Sequence, residues 1–101
     1  MIDVKKPLFK PGQVLATPAA LECLEKAGQT VWELLALHLQ GQWGDELSDE
    51  DRRLNDEAVK DGSRILSAYI LKTGVKVRVI TEAADDNGIR AATTLLLPDE
   101  Y

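Results

Sequence analysis

RILSAYILKTGVKVRVIT, at residues 64–81, is the stretch in which apolar side chains change from a helical to a strand periodicity. Val75, Val77 and Val79 alternate with basic side chains, which predicts a strand whose valines point inward and whose basic residues point outward. The preceding run, RILSAYIL, is rich in strand-forming residues, and a Thr-Gly pair separates the two runs. The stretch therefore predicts a β-hairpin.

A second hairpin is predicted further along the chain. Asn87 and Gly88 form the dipeptide most typical of a two-residue β-turn. If these two residues form the turn, Asp85 faces Arg90 across the strands as an opposite-charge pair. Three successive strands then form an antiparallel meander in the C-terminal half of the chain.

Three segments before residue 64 have the start and stop signals of helices. Each begins at a Ser or Thr suited to cap a helix and ends at a glycine, and they span residues 17–28, 30–41 and 48–62. The middle segment is apolar on nearly every side, so we expect it to be the most buried helix. Residues 13–17 are compatible with one further short strand.

The prediction for the whole chain is an α+β fold, in which about three N-terminal helices precede a three-stranded antiparallel β-meander. A length of 101 residues suits one domain over residues 1–101. Pro7 and Pro11 interrupt regular structure, so we expect residues 1–12 to form a loosely ordered arm.

The composition, with 45% hydrophobic and 29% charged residues, is typical of a globular domain. No apolar run approaches the roughly 20 residues that cross a bilayer. The N-terminus lacks the apolar core of a signal peptide. A single cysteine, Cys23, excludes an internal disulfide and fits a reducing compartment. We therefore predict a cytoplasmic protein without membrane association.

The negative charge is concentrated in one segment. Residues 45–61 hold eight acidic and three basic side chains, so their charge equals the net charge of -5 of the whole chain. Nucleic-acid binding needs clustered Lys and Arg and is disfavoured by this balance. The sequence offers only Lys76 and Arg78 on one strand for such a role, and it lacks the aromatic platform of a single-strand binder.

The candidate site lies around HLQGQWGDEL, residues 38–47, which holds the chain's only histidine. A ligand or partner site would gather six residues at the ends of elements: His38, Trp43, Asp45, Asn55, Arg64 and Glu82. No nucleophile, base and acid occur at a recognisable spacing, so we assign no catalytic residue. A lone histidine beside carboxylates is too weak a signal for a metal, and no cofactor is implied. The structural alternative is a glycine-hinged corner between two helices, with Trp43 as its plug.

The chain from residue 38 onward resembles a family of small proteins of bacterial plasmids, phages and genomic islands, which often bear names such as plasmid-related protein. The shared pattern is a His, a Gly-x-Trp-Gly-Asp run, an Asn in the next helix, and polar residues along the strands. It corresponds here to His38, Gly41, Trp43, Gly44, Asp45, Asn55, Gly62, Arg64, Ser67, Tyr69, Thr81, Glu82, Thr93, Thr94, Pro98, Glu100 and Tyr101. The resemblance implies a cytoplasmic product of a bacterial accessory gene with no established activity.

Three functions are compatible with these observations. The first is a non-enzymatic protein-interaction module of a bacterial mobile element, with an unknown protein partner, acting as a monomer or homodimer. The second is a small-ligand-binding protein or enzyme with a polar site formed by His38, Asp45, Asn55, Arg64 and Glu82. The third is a weak nucleic-acid binder that uses the face carrying Lys76 and Arg78.

Overall fold

The helices begin where the sequence predicts. The protein is described by a computed structural model over residues 6–100. Its helices are α1 (Pro18–Ala27), α2 (Val31–Leu39) and α3 (Asp49–Asp61). The hydroxyls of Thr17, Thr30 and Ser48 each accept the backbone N–H three residues further on. Because these caps replace intrahelical bonds that the first turn lacks, they confirm the predicted helix starts.

The sheet has four strands, β1 (Gln13–Ala16), β2 (Ile65–Ile70), β3 (Lys76–Thr81) and β4 (Ala92–Leu96), in the order β1-β4-β3-β2. The antiparallel β2-β3-β4 part is present, but β1 adds to β4 in parallel. The prediction of a three-stranded antiparallel meander is therefore wrong, and the fold is α+β with a mixed sheet. The short strand expected within residues 13–17 is present as β1, but four residues do not show which strand it pairs with, and its partner lies near the other end of the chain.

Both hairpins have three-residue loops, so the predicted two-residue turn at Asn87 and Gly88 is wrong. The Gly88 N–H donates to the carbonyl of Asp85, and the Asp85 N–H donates to the carbonyl of Ile89. Gly88 has φ of 75°, as in a type I turn followed by a left-handed glycine. The Asp85 carboxylate accepts the N–H groups of Asn87 and Ile89. It therefore stabilises the turn and does not pair with Arg90.

All three helices pack on one face of the sheet. The helix α1 contacts β4, α2 contacts β3 and α3 contacts β2. Val77, Val79 and Leu95 are fully enclosed by these helices, as the alternation of the valines predicts. The helix α2 is the most buried of the three, although its Trp32 is 61% exposed.

The opposite face of the sheet carries none of the side chains that form the two hydrophobic clusters under the described helices. We call it the open face. By strand alternation, its side chains are those of Gln13, Leu15, Leu66, Ala68, Ile70, Lys76, Arg78, Ile80, Ala92, Thr94 and Leu96. Most of them are apolar. Leu15 and Ile70 are 42% and 51% exposed, whereas Ile80 and Leu96, at 6% and 8%, are buried in the single chain.

The described part of the predicted N-terminal arm lies against the helical layer. The Leu8 N–H donates to the carbonyl of Leu39, which is the end of α2. The Phe9 ring is buried in the cluster that contains Trp43, and the carbonyl of Pro11 accepts a bond from Thr93. Residues 1–5 of the predicted arm lie outside the described residues, as does Tyr101.

Candidate functional site

His38 lies at the centre of a buried polar chain that joins α2 to three strands. Its Nδ1 is 2.5 Å from the Ser67 hydroxyl, and its Nε2 is 2.8 Å from the Thr81 hydroxyl. The Thr81 hydroxyl is 2.7 Å from that of Thr93, which bonds the carbonyl of Pro11 at 2.8 Å. The side chains of His38, Ser67, Thr81 and Thr93 are all fully buried. We call this set the polar chain.

The directions of the hydrogen bonds in the polar chain follow from its last acceptor and from the charge state of His38. A carbonyl accepts only, so Thr93 donates to Pro11 and accepts from Thr81. The Thr81 hydroxyl has then used its proton, so it accepts from Nε2–H of His38. Burial keeps the pKa of His38 at about 3, so the imidazole carries one proton, and its other nitrogen, Nδ1, accepts from Ser67. His38 is therefore a neutral imidazole in the Nε2–H form.

Electrostatics agree with a neutral His38. Burial lowers the pKa of His38 to about 3, and the positive charge of Arg90 lowers it in the same direction. Aromatic rings surround the imidazole, with Phe9 at 5.2 Å and Trp43 at 5.8 Å between ring centroids, both edge to face. A histidine in this setting holds elements together and has no access to a substrate from solvent.

Asn55 of α3 pairs with the backbone of the outer strand β2. Its amide nitrogen donates to the Leu66 carbonyl at 2.6 Å, and its amide oxygen accepts the Leu66 N–H at 3.1 Å. The Ala68 N–H donates to the carbonyl of Trp43. Asn55 and Trp43 therefore take the place of a fifth strand along this edge, which protects it from pairing with other chains.

Gly44 follows Trp43 at a point where the loop touches β2 directly. A Cβ atom at this position would lie 1.8 Å from the Ala68 carbonyl oxygen, and φ of Gly44 is 92°. Both the space and the left-handed backbone exclude other residues here. The indole N–H of Trp43 donates to Asp56 of α3, and this hydrogen bond holds the ring against that helix. The glycine-hinged corner thus covers the outer edge of β2.

Arg90 forms a second buried polar centre, although the predicted hairpin pairs it with Asp85. Its guanidinium donates to the carbonyls of Ala58, Ser63 and Glu82 and lies 5.6 Å from the centroid of the Phe9 ring. Burial lowers the pKa of Arg90. Since the carbonyls at a helix C-terminus carry partial negative charge, Arg90 stabilises the end of α3.

The six predicted site residues divide between the interior and the surface. His38, Trp43 and Asn55 are buried, whereas Asp45, Arg64 and Glu82 are exposed. Among residues 6–100, the one ion pair of Asp45 is a long contact of 3.9 Å with Arg52 at the surface. Within residues 6–100, every buried side-chain nitrogen and oxygen has a hydrogen-bond partner. The buried three are thus committed to holding the structure together.

Trp43 and Asp45 do share one cleft, of about 570 Å³, between the end of α2 and the edge of β2. Arg52, Tyr69 and Ile70 also line it. The Arg52 guanidinium bonds the Gly44 and Leu47 carbonyls, and the Tyr69 hydroxyl bonds the Gln42 carbonyl. These polar groups therefore mainly fix the loop that forms the wall of the cleft.

The site prediction did not include Ser67, Thr81, Thr93 and Arg90. A signal for the first three exists in the sequence, because each occupies an inward position of its strand. A polar residue on an inward strand face needs an internal hydrogen-bond partner, and His38 is the side chain that supplies it for Ser67 and Thr81.

Comparisons with protein-family models, curated proteins and solved structures found no match. Among residues 6–100, no group of three or more His, Cys, Asp or Glu side chains is arranged to hold a metal ion. No helix in that range is long and apolar enough to cross a membrane.

Proposed function

We propose that the protein is a non-enzymatic interaction module that binds a partner protein through the open face of its sheet. The observation that carries the proposal is the position of Arg78. It lies on the open face of the central strand β3, between Ala68 of β2 and Leu96 of β4. An arginine within an apolar surface is typical of the residues that contribute most to protein interfaces.

The charge of Arg78 is available to a partner. Lys76, two residues earlier on the same face, already forms a 3.3 Å ion pair with Glu46. Among residues 6–100, no carboxylate lies within ion-pair distance of Arg78. A partner that covers this face would have to supply a carboxylate, since burying the guanidinium without one is costly.

The dimensions of the open face suit one helix. Four strands about 4.8 Å apart span about 14 Å, which accommodates a helix with a diameter of about 10 Å. Helices already cover the other face, and a second helical layer is a common way to bury the free face of a sheet. We therefore infer that the partner presents an amphipathic helix with apolar residues and an acidic residue near its middle.

The engagement of the polar side chains supports binding rather than catalysis. His38 and Asn55 are hydrogen-bonded inside the fold, while Asp45 and Glu82 are at the surface. A catalytic site would need such groups close together around an accessible space. A role as an accessory factor of a mobile element, in the cytoplasm, belongs to the same proposal and rests on the resemblance described above.

Nucleic acid fits the open face less well than a protein does. One of its two basic residues is paired with Glu46, and most of the remaining side chains are apolar. Phosphate binding depends on several free basic groups. The acidic α3 would in addition repel a nucleic acid that extended beyond the sheet.

Site-specific photo-crosslinking tests the proposal. Ile70 on the open face and Leu54 on α3 are both 51% exposed, so a photoreactive phenylalanine at either position is equally accessible. We expect the probe at Ile70, and not that at Leu54, to form a specific cross-linked species in a bacterial host. The cross-linked protein is then purified and its affinity for the chain measured directly.

Charge reversal provides the decisive comparison. Arg78→Glu should weaken binding of the purified partner at least about tenfold, as expected for a central charged contact. Arg53→Glu makes the same change on the exposed side of α3 and should leave the affinity unchanged. Equal cross-linking at the two positions, or an affinity that Arg78→Glu does not alter, would contradict the proposal.

A further inference from the structure

The two edges of the sheet differ in whether their outward backbone groups have hydrogen-bond partners. At the β2 edge, Asn55 and Trp43 bond the outward backbone groups of Leu66 and the outward N–H of Ala68. Proteins commonly block edge strands in this way because an open edge pairs with other strands. The opposite edge, formed by β1, has no such cover within the described residues.

The outward groups of β1 belong to Val14 and Ala16. The N–H groups of Gln13 and Thr17 donate to β4 and its flanking residue. Since backbone groups alternate sides along a strand, the N–H and C=O groups of Val14 and Ala16 point away from the sheet. No bond from these four groups to another residue occurs among residues 6–100.

We propose that β1 pairs in antiparallel fashion with β1 of a second copy of the chain. Val14 of one copy would exchange two hydrogen bonds with Ala16 of the other, and two-fold symmetry repeats the exchange. Four backbone hydrogen bonds then form, and the symmetry axis passes between the two Leu15 residues. Leu15 is 42% exposed in the single chain, and this register places it against its equivalent.

A second copy is the occupant that the strand itself favours. Residues 13–16 contain no charged side chain, so self-pairing brings no like charges together. An edge strand that is meant to stay single commonly carries a lysine or a proline, and β1 has neither. The register is also closed, because a two-fold contact uses the same surface on both copies and stops at two.

The helical layer leaves room for this contact. The helix α1 contacts β4, one strand spacing in from β1. The two α1 helices of a dimer would therefore lie about 14 Å apart, which exceeds the helix diameter of about 10 Å. A two-fold axis perpendicular to the sheet keeps all helices on one side. The dimer would thus have one eight-stranded sheet and one continuous open face.

The position of the axis gives a direct test by disulfide trapping in the full chain, with Cys23→Ser to remove the native thiol. Leu15→Cys should form an intermolecular disulfide, because opposed residues of this type have Cα atoms about 4.5 Å apart. Gln13→Cys is the control, since Gln13 would face Thr17 of the second copy and lie about 13 Å from its own equivalent. Equal trapping at both positions, or none at Leu15, would overturn the register.

Sedimentation equilibrium tests the backbone bonds. The native chain should associate between about 1 µM and about 1 mM. Ala16→Pro removes one outward N–H without touching the bonds to β4, and it should weaken association at least about tenfold. Ala16→Val adds similar bulk, keeps the N–H and should associate like the native chain.

A chain that stays monomeric throughout this range, or an Ala16→Pro chain that associates as the native chain does, would refute the dimer. A heterologous strand that binds β1 without any self-association would replace the second copy as its occupant. The inference is independent of the proposed function, because neither Arg78→Glu nor Arg53→Glu alters β1.

Discussion

The buried His38 makes the stability of the protein depend on pH in a defined way. The pKa of His38 is about 3 in the folded chain and 6.5 in an unconstrained one. Below pH 6.5 the imidazole of His38 therefore binds a proton in the unfolded chain, whereas in the folded chain it stays neutral until the pH approaches 3. The resulting stabilisation is fully present above pH 6.5 and is lost as pH falls toward 3.

The magnitude follows from the two pKa values. Each pH unit below the unfolded pKa costs about 1.4 kcal/mol, so a change from about pH 7 to about pH 5 should lower the free energy of unfolding by about 2 kcal/mol through His38 alone. Carboxylates titrate in the same range, and a variant without the histidine is needed to separate their effect. His38→Gln retains one donor and one acceptor for the polar chain.

Urea unfolding at a series of pH values measures this effect. We expect His38→Gln to be the less stable protein at neutral pH. Its deficit relative to the native chain should shrink by about 2 kcal/mol between about pH 7 and about pH 5. A deficit that does not change with pH would refute the reasoning, because His38 would then have the same pKa in both states. The ¹⁵N spectrum of the single imidazole should show the neutral Nε2–H form at both pH values.

Two further predictions concern Gly44 and Asn55, which cover the β2 edge. Gly44→Ala should lower the free energy of unfolding in urea by at least about 3 kcal/mol, because it adds a clash with the β2 backbone to a left-handed φ. The control Gly74→Ala should cost only about 1 kcal/mol, since Gly74 has φ of 91° but nothing within 4 Å of the added Cβ. Equal losses in the two variants would show that the contact of Gly44 with β2 is unimportant. Asn55→Ala should lower the free energy of unfolding by about 2 to 3 kcal/mol, because the Leu66 N–H and C=O lose their side-chain partners. It should also promote aggregation, measurable by light scattering, since the β2 edge is then open to other strands. An unchanged unfolding midpoint would contradict the pairing.

The candidate site was predictable only in its location. The corner at residues 38–47 does contain residues that the fold requires, but their roles depend on distant partners. His38 bonds Ser67 and Thr81, and Asn55 bonds Leu66, all of which lie on other elements. A spacing rule along one chain cannot show whether two such side chains meet in a cleft or inside the core.

The interpretation of Arg90 failed for a related reason. A two-residue turn at Asn87 and Gly88 would have placed Arg90 opposite Asp85 at the surface. In the three-residue loop Arg90 bridges to Ala84 instead, and its guanidinium lies among backbone carbonyls. One residue of loop length changes the partner of every later residue, because the two strands pair in strict register.

The helix boundaries and the β2-β3 hairpin could be predicted from local sequence patterns. Those features depend on caps, glycines and side-chain periodicity within a few residues, as at Ser48 and across Val77 and Val79. The parallel pairing of β1 with β4, the covering of the β2 edge and the burial of the polar chain could not be predicted in this way. These features join residues on different elements of the chain, and their energies exist only once the backbone has brought the partners within hydrogen-bond distance and excluded water.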